Sequence, residues 1–158
     1  MKHKIVQVNW RDPCITYETD KKAGPSDLSE LTLTSSWGWI IHQDKIKTII
    51  GHVDYGGKVD MTIIATSLIE GDIIKNRKEM DHEILEIVFK EFRKDRSADK
   101  GEIDKIKNLD RYFIRENYAY GYEYKKTNKT LILAYEESES GFSYIPIHLE
   151  DIIKINKR

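Results

Sequence analysis

The chain has 158 residues and 18.6 kDa, enough for one domain with a real core or two small units packed together. Charged residues make up 34% and the AVILMFWYC group 39%, with only 3 Pro and 9 Gly, which excludes collagen-like, low-complexity and wholly disordered classes. The 26 basic and 27 acidic residues give a formal charge of -1, arguing against a general polyanion binder, an acidic nucleic-acid mimic and a basic membrane-surface protein.

Cys14 is the single cysteine and has no intramolecular partner. Together with His3, His42, His52, His82 and His148 it shows no zinc-site spacing, so no metal or other cofactor is expected and a reducing bacterial cytoplasm fits. The N-terminus MKHKIVQVNW lacks the apolar core of a secretion signal, and no stretch approaches the roughly 18 apolar residues of a membrane span.

In chain order, residues 1–76 read as a β unit, with β-branched and aromatic runs IVQVNW, WGWIIH, IKTIIGHV and MTIIAT separated by turn residues such as Asp54, Gly56 and Gly57. Residues 77–117 change character: 22 of 41 are charged. Met80, Ile84, Leu85, Val88, Phe89 and Phe92 fall at helical spacing, acids lead and bases close the segment, and a helix is expected over 77–95. Asp99 and Glu102 have capping-box spacing, and Ile103, Ile106, Leu109 and Phe113 extend a second expected helix over 102–116. Residues 118–158 return to strands, with YGYEY, KTLILAYE and FSYIPI. The predicted class is α+β: an antiparallel sheet, or two small SH3-like or barrel-like units, carrying two charged helices in one compact domain.

The two β units repeat one another. Trp37-Gly38-Trp39 matches Tyr120-Gly121-Tyr122 at an offset of 83, Lys47 to Ile50 matches Lys129 to Ile132 at 82, and Asp72 to Lys75 matches Asp151 to Lys154 at 79.

Val8-Asn9-Trp10-Arg11-Asp12-Pro13, Ser36-Trp37-Gly38-Trp39-Ile40-Ile41 with Asp44, Ile63-Ile64 and Leu68-Ile69 resemble small uncharacterised proteins of phages, prophages and mobile elements, whose pattern is V-x-W-x-D, S-x-G-W/Y and I-P-K-G. Tyr120-Gly121-Tyr122 and Tyr144-Ile145-Pro146-Ile147 resemble the same pattern more weakly, and residues 77–117 lie outside it. Ala65 stands where those proteins usually carry Pro. The resemblance implies a small, partly open barrel of mobile-element origin and supplies no activity.

Nucleotide-cradling glycine loops and an esterase elbow are missing from the sequence. His42 with Asp44, and His52 with Asp54, put an acid two residues from a histidine, on one face of a strand. Glu123-Tyr124-Lys125 has the E-x-K form of metal-dependent nucleases, with Asp110 as an upstream acid. Trp10, Trp37, Trp39, Tyr120, Tyr122 and Tyr124 either stack bases or fill a barrel. Lys90, Arg93, Lys94, Arg96 and Lys100 form a basic cluster, and Glu136, Glu137 and Glu139 an acidic loop.

The expected function is that of a non-enzymatic phage or mobile-element protein that blocks a host protein, with a CRISPR-type defence nuclease as the target class. Its partner-binding residues would be Lys90, Arg93, Lys94, Arg96, Glu136, Glu137 and Glu139. One alternative is an Sm- or SH3-like module for RNA or single-stranded DNA; the other is a metal-dependent nuclease.

Overall fold

A computed structural model describes residues 2–12, 31–91 and 115–157. Nine strands form one antiparallel sheet system: β1 (Ile5–Asp12), β2 (Thr32–Gln43), β3 (Lys47–Asp54), β4 (Val59–Ala65), β5 (Leu85–Glu91), β6 (Arg115–Lys126), β7 (Thr130–Ser138), β8 (Gly141–His148) and β9 (Ile152–Asn156). Neighbours run β4-β3-β2-β7-β6-β5-β9, with β1 on β2, β8 on β7 and a further β3–β6 pairing. Among the described residues, helical backbone is confined to single 3-10 turns at Thr66–Leu68, Arg77–Glu79 and Leu149–Asp151. The fold is therefore nearly all β, and the α+β expectation is overturned.

Of the helix expected over 77–95, residues 77–91 are instead a 3-10 turn capped by Asn76, whose side chain accepts from the Lys78 amide, followed by strand β5, and residues 92–95 lie outside the described ones. Ile84 to Phe89 are all buried, and β5 is paired on both edges, with β6 and β9. A strand enclosed in this way reads as an unbroken apolar run, from which a helical subset can always be drawn. Glu86 settles the difference. A helix would turn it to solvent, whereas it is 1% exposed. Of the helix expected over 102–116, Arg115 and Glu116 open β6, and residues 102–114 lie outside the described ones.

The repeat is real in three dimensions. Each half runs four strands, of which the second is the longest, then a 3-10 turn and a segment that returns to the first strand. This is a barrel-like path. In the first half the returning segment bridges β1 through Ile69 and Ile74; in the second, β9 pairs β5. Residue n of β2 to β4 corresponds to n+83 in β6 to β8, and both bulges recur at that offset: Ile40/His42 with Glu123/Lys125, and Gly51/Val53 with Ala134/Glu136. β1 maps onto β5 at an offset of 79, since Val6 faces Gly38 as Leu85 faces Gly121.

Two of the sequence matches shift accordingly. Thr48 corresponds to Leu131, because Thr48 pairs Ile64 as Leu131 pairs Ile147. The partner of Ile152 is Ile69, not Ile73, since these two face the corresponding aromatics Phe89 and Trp10. The halves join by two equivalent contacts: Ser35–Ser36 of β2 against Glu137–Glu136 of β7, and Tyr118–Ala119 of β6 against Asp54–Val53 of β3. This is the isologous geometry of a two-fold dimer written into one chain.

The central cluster, Ile5, Trp37, Trp39, Met80, Ile84, Tyr120, Tyr122 and Ala134, draws on both halves. Glycine is required where strands nearly touch. A Cβ at Gly38 would lie 2.1 Å from the Gly51 carbonyl oxygen, and one at Gly121 2.2 Å from that of Ala134, the corresponding residue.

Candidate functional site

The seam between the halves carries a chain of polar side chains that includes the buried Ser36 and His52. His52 and its counterpart Tyr135 stack on one another at 4.5 Å, next to the point where the pseudo-two-fold relates the halves. His52 Nδ1 lies 2.8 Å from the Trp37 carbonyl oxygen, which only accepts, so this nitrogen carries the proton. Thr62 Oγ1 is 2.8 Å from Nε2 and 3.0 Å from Glu136 Oε2. The Ser36 hydroxyl donates to that same carboxyl oxygen at 2.8 Å and accepts from Trp10 Nε1 at 2.9 Å.

Burial lowers the His52 pKa to about 4, although its bond to Trp37 works the other way. Burial raises that of Glu136 against the bonds from Ser36 and Thr62. Burial thus shifts both groups toward their neutral forms, and Thr62 links them, its hydroxyl lying within hydrogen-bond reach of each. At the corresponding positions of the other half stand Phe89, Ala119, Tyr135, Ile145 and Val53. There the equivalent seam has no polar chain of this kind.

Two further clusters are pseudo-symmetric in detail. His3 stacks on Trp39 at 4.1 Å, meets Tyr120 edge-on at 5.6 Å and has Nε2 3.5 Å from Asp54. Its counterpart His82 stacks on Tyr122 at 3.8 Å, meets Trp37 edge-on at 5.2 Å and has Nε2 2.9 Å from Glu137. Behind them, Gln7 Oε1 accepts from Trp37 Nε1 and the Asp81 amide, just as Glu86 Oε2 accepts from the Tyr120 hydroxyl and the Lys2 amide. Burial opposes the charge on Glu86, but hydrogen bonds from Tyr120, Lys2 and Asn156 outweigh it and hold its pKa below the usual range. Burial pushes the Tyr122 phenol up to about 12, with Glu137 adding to the shift.

Both histidines line one cleft of about 970 Å³ between residues 2–5 and 75–84. Lys2, Lys4, Lys75, Arg77 and Lys78 also border it, with Ile5, Met80 and Ile84 among its apolar lining.

The structure separates the residues that sequence grouped as partner-binding. Glu136 belongs to the seam, Glu137 is held by His82, and Glu139 is exposed at the β7–β8 turn. Lys90 is half-buried in β5, and Arg93, Lys94, Arg96 and Lys100 lie outside the described residues. His42 and Asp44 do pair, at 2.8 Å, on an exposed hairpin where Asp44 also accepts from the Ile46 and Lys47 amides. Those bonds, led by the one to His42, hold the Asp44 carboxyl far below its ordinary pKa. His52 and Asp54 do not pair: the bulge at His52 breaks the alternation, and Asp54 turns to Lys2 and His3.

Glu123, Tyr124 and Lys125 are exposed at the bulge of β6, and Asp110 lies outside the described residues. Of the six aromatics singled out, Trp10, Trp37, Trp39, Tyr120 and Tyr122 are buried, so base stacking on them is closed off.

Sequence reasoning missed the outward aromatic strip. Tyr124, Phe142 and Tyr144 are 51%, 36% and 52% exposed, with ring centroids 4.1 Å and 5.4 Å apart along the row. In the other half, Ile41 and Met61, the counterparts of Tyr124 and Tyr144, are also exposed. The alternation in FSYIPI was a signal for this face, because a strand that buries Ile147 must turn some of its aromatics outward.

No helix among the described residues is long and apolar enough to cross a membrane. No protein-family model, curated protein or solved structure matches the chain.

Proposed function

We propose that this is a non-enzymatic binding protein that occupies the surface of a partner protein through the outward face of its second half. The single observation behind this reading is the Tyr124, Phe142, Tyr144 row: three exposed rings in mutual contact on a chain that is one-third charged. Solvent-facing aromatics of this kind contribute disproportionately to protein interfaces, because they bury large area with few rotatable bonds. β8 bonds only β7 among the described strands, so its outer edge adds backbone donors and acceptors beside the rings. The apolar counterparts Ile41 and Met61 repeat the face in weaker form, which suits a partner that itself presents a repeated surface.

The mobile-element resemblance makes a host defence nuclease of the CRISPR type the first target to test, in the host cytoplasm. The test is capture of such a nuclease, and inhibition of its cleavage, by the wild type and by a Tyr124→Ser, Tyr144→Ser double variant. Exposed positions should leave the melting temperature nearly unchanged, whereas capture should fall at least tenfold and survive an increase in salt in the wild type. Full capture by the double variant refutes the proposed face, and a wild type that binds no host protein refutes the binding reading.

A further inference from the structure

We propose that the cleft between residues 2–5 and 75–84 binds a mononucleotide: a phosphate-bearing anion with a planar, largely apolar portion. This site is independent of the aromatic face. On a chain of net charge -1, five cationic side chains, Lys2, Lys4, Lys75, Arg77 and Lys78, meet two acidic ones, Asp81 and Glu83, around a single cleft. Gathering like charges is unfavourable until an anion enters, and the field they create draws one in.

The charges are not all equally available. Lys2 is engaged by Asp54 and lies 4.6 Å from the Tyr118 ring centre, while Asp81 is held by the Gln7 amide at 2.5 Å. Lys4, Lys75 and Lys78 are exposed and make no ion pair among the described residues.

The shape narrows the ligand further. At about 970 Å³ the cleft has the volume of a small-molecule site, and the half-exposed rings of His3 and His82, backed by the buried Ile5, Met80 and Ile84, give it a flat, weakly polar side for a planar ring. A second pocket of about 350 Å³ adjoins it, sharing Lys2, His3, Lys4 and Lys75 and bordered by Trp39 and Ile40. Lys4 and Lys75 therefore stand between a larger and a smaller lobe, where phosphates belong. His82 adds a wall group. Its Nε2 is taken by Glu137, which leaves Nδ1 as the ring nitrogen for a ligand.

Repetition does not account for the positive charge. The 79-residue correspondence pairs Lys2 with Asp81 and Lys4 with Glu83, so the two halves have opposite charge at these positions.

The test is isothermal titration of the full chain with ADP, inorganic pyrophosphate, adenosine and a 12-nucleotide single-stranded DNA. ADP should bind, adenosine at least tenfold more weakly for want of phosphate, and pyrophosphate at least threefold more weakly for want of the ring. A Lys4→Glu, Lys75→Glu double variant should lose ADP affinity at least tenfold with its melting temperature retained. Lys78→Glu, at an exposed position, provides the same reading if the double variant does not fold. The proposal is overturned by absence of ADP binding at millimolar concentration, by unchanged ADP affinity in the folded variants, or by pyrophosphate binding as tightly as ADP. DNA binding more than a hundredfold tighter than ADP overturns it in favour of a strand-binding groove.

Discussion

Removing the Glu136 carboxyl alone should be costly, and removing its partners with it should return much of that cost. Glu136→Val copies Val53, its counterpart in the other half, so the valine has a precedent at this position in the fold. The substitution leaves the Ser36 hydroxyl, which accepts from Trp10, without an acceptor for its own proton. Thr62 also loses one of its two side-chain partners. A buried polar group left unpaired costs about 1 to 3 kcal/mol, and relief from burying the carboxyl returns part of that, so Glu136→Val should destabilise by about 1 to 2 kcal/mol.

Adding Ser36→Ala and Thr62→Ile copies Ala119 and Ile145 and removes both orphaned hydroxyls. The triple variant should regain about 1 to 3 kcal/mol relative to the sum of the separate effects, which is the signature of groups acting as one network. The residual cost lies with the Trp10 N–H and with His52 Nε2, which loses the Thr62 hydroxyl. Urea melts of the single and triple variants at neutral pH measure these differences directly. A neutral Glu136→Val, or a triple variant whose cost equals the sum of its parts, would refute the claim that these side chains form one hydrogen-bonded chain.

Two more expectations follow from the same geometry. His52 is neutral when folded down to about pH 4, against an ordinary value of 6.5, so the unfolded chain binds the extra proton first as pH falls. Its contribution to stability is therefore whole above pH 6.5 and lost toward pH 4, by roughly 3 kcal/mol for a shift of that size. Comparing wild type with His52→Tyr, the counterpart residue, at several pH values isolates the effect, and a gap between them that does not change with pH contradicts it. Gly38→Ala and Gly121→Ala should each destabilise by about 3 kcal/mol or more, because the new Cβ meets a backbone carbonyl that cannot turn aside. Thermal melts read this, and a harmless alanine at either glycine would break the equivalence of the two close approaches.

Much of the molecule was legible in the chain because short-range chemistry determines it. β-branched and aromatic runs between turn residues located most of the strands outside 77–117, and the paired Trp37-Gly38-Trp39 and Tyr120-Gly121-Tyr122 marked the repeat. The net charge of -1 kept attention on local patches rather than on a bulk field. What the sequence could not decide was which periodicity governed Ile84 to Phe89. Helix and enclosed strand both accept six apolar or shielded residues in a row, and only pairing with β6 and β9, from 24 to 70 residues away along the chain, selects the strand.

The same limit hid the site. His3 and His82 are 79 residues apart and look unrelated until β1 and β5 take equivalent places, and Glu136 reads as one acid of a surface loop until β7 joins β2 and half-buries it. A residue's type is local, but its burial, partners and protonation belong to the strands beside it, and those are chosen by long-range pairing that no single stretch of sequence contains.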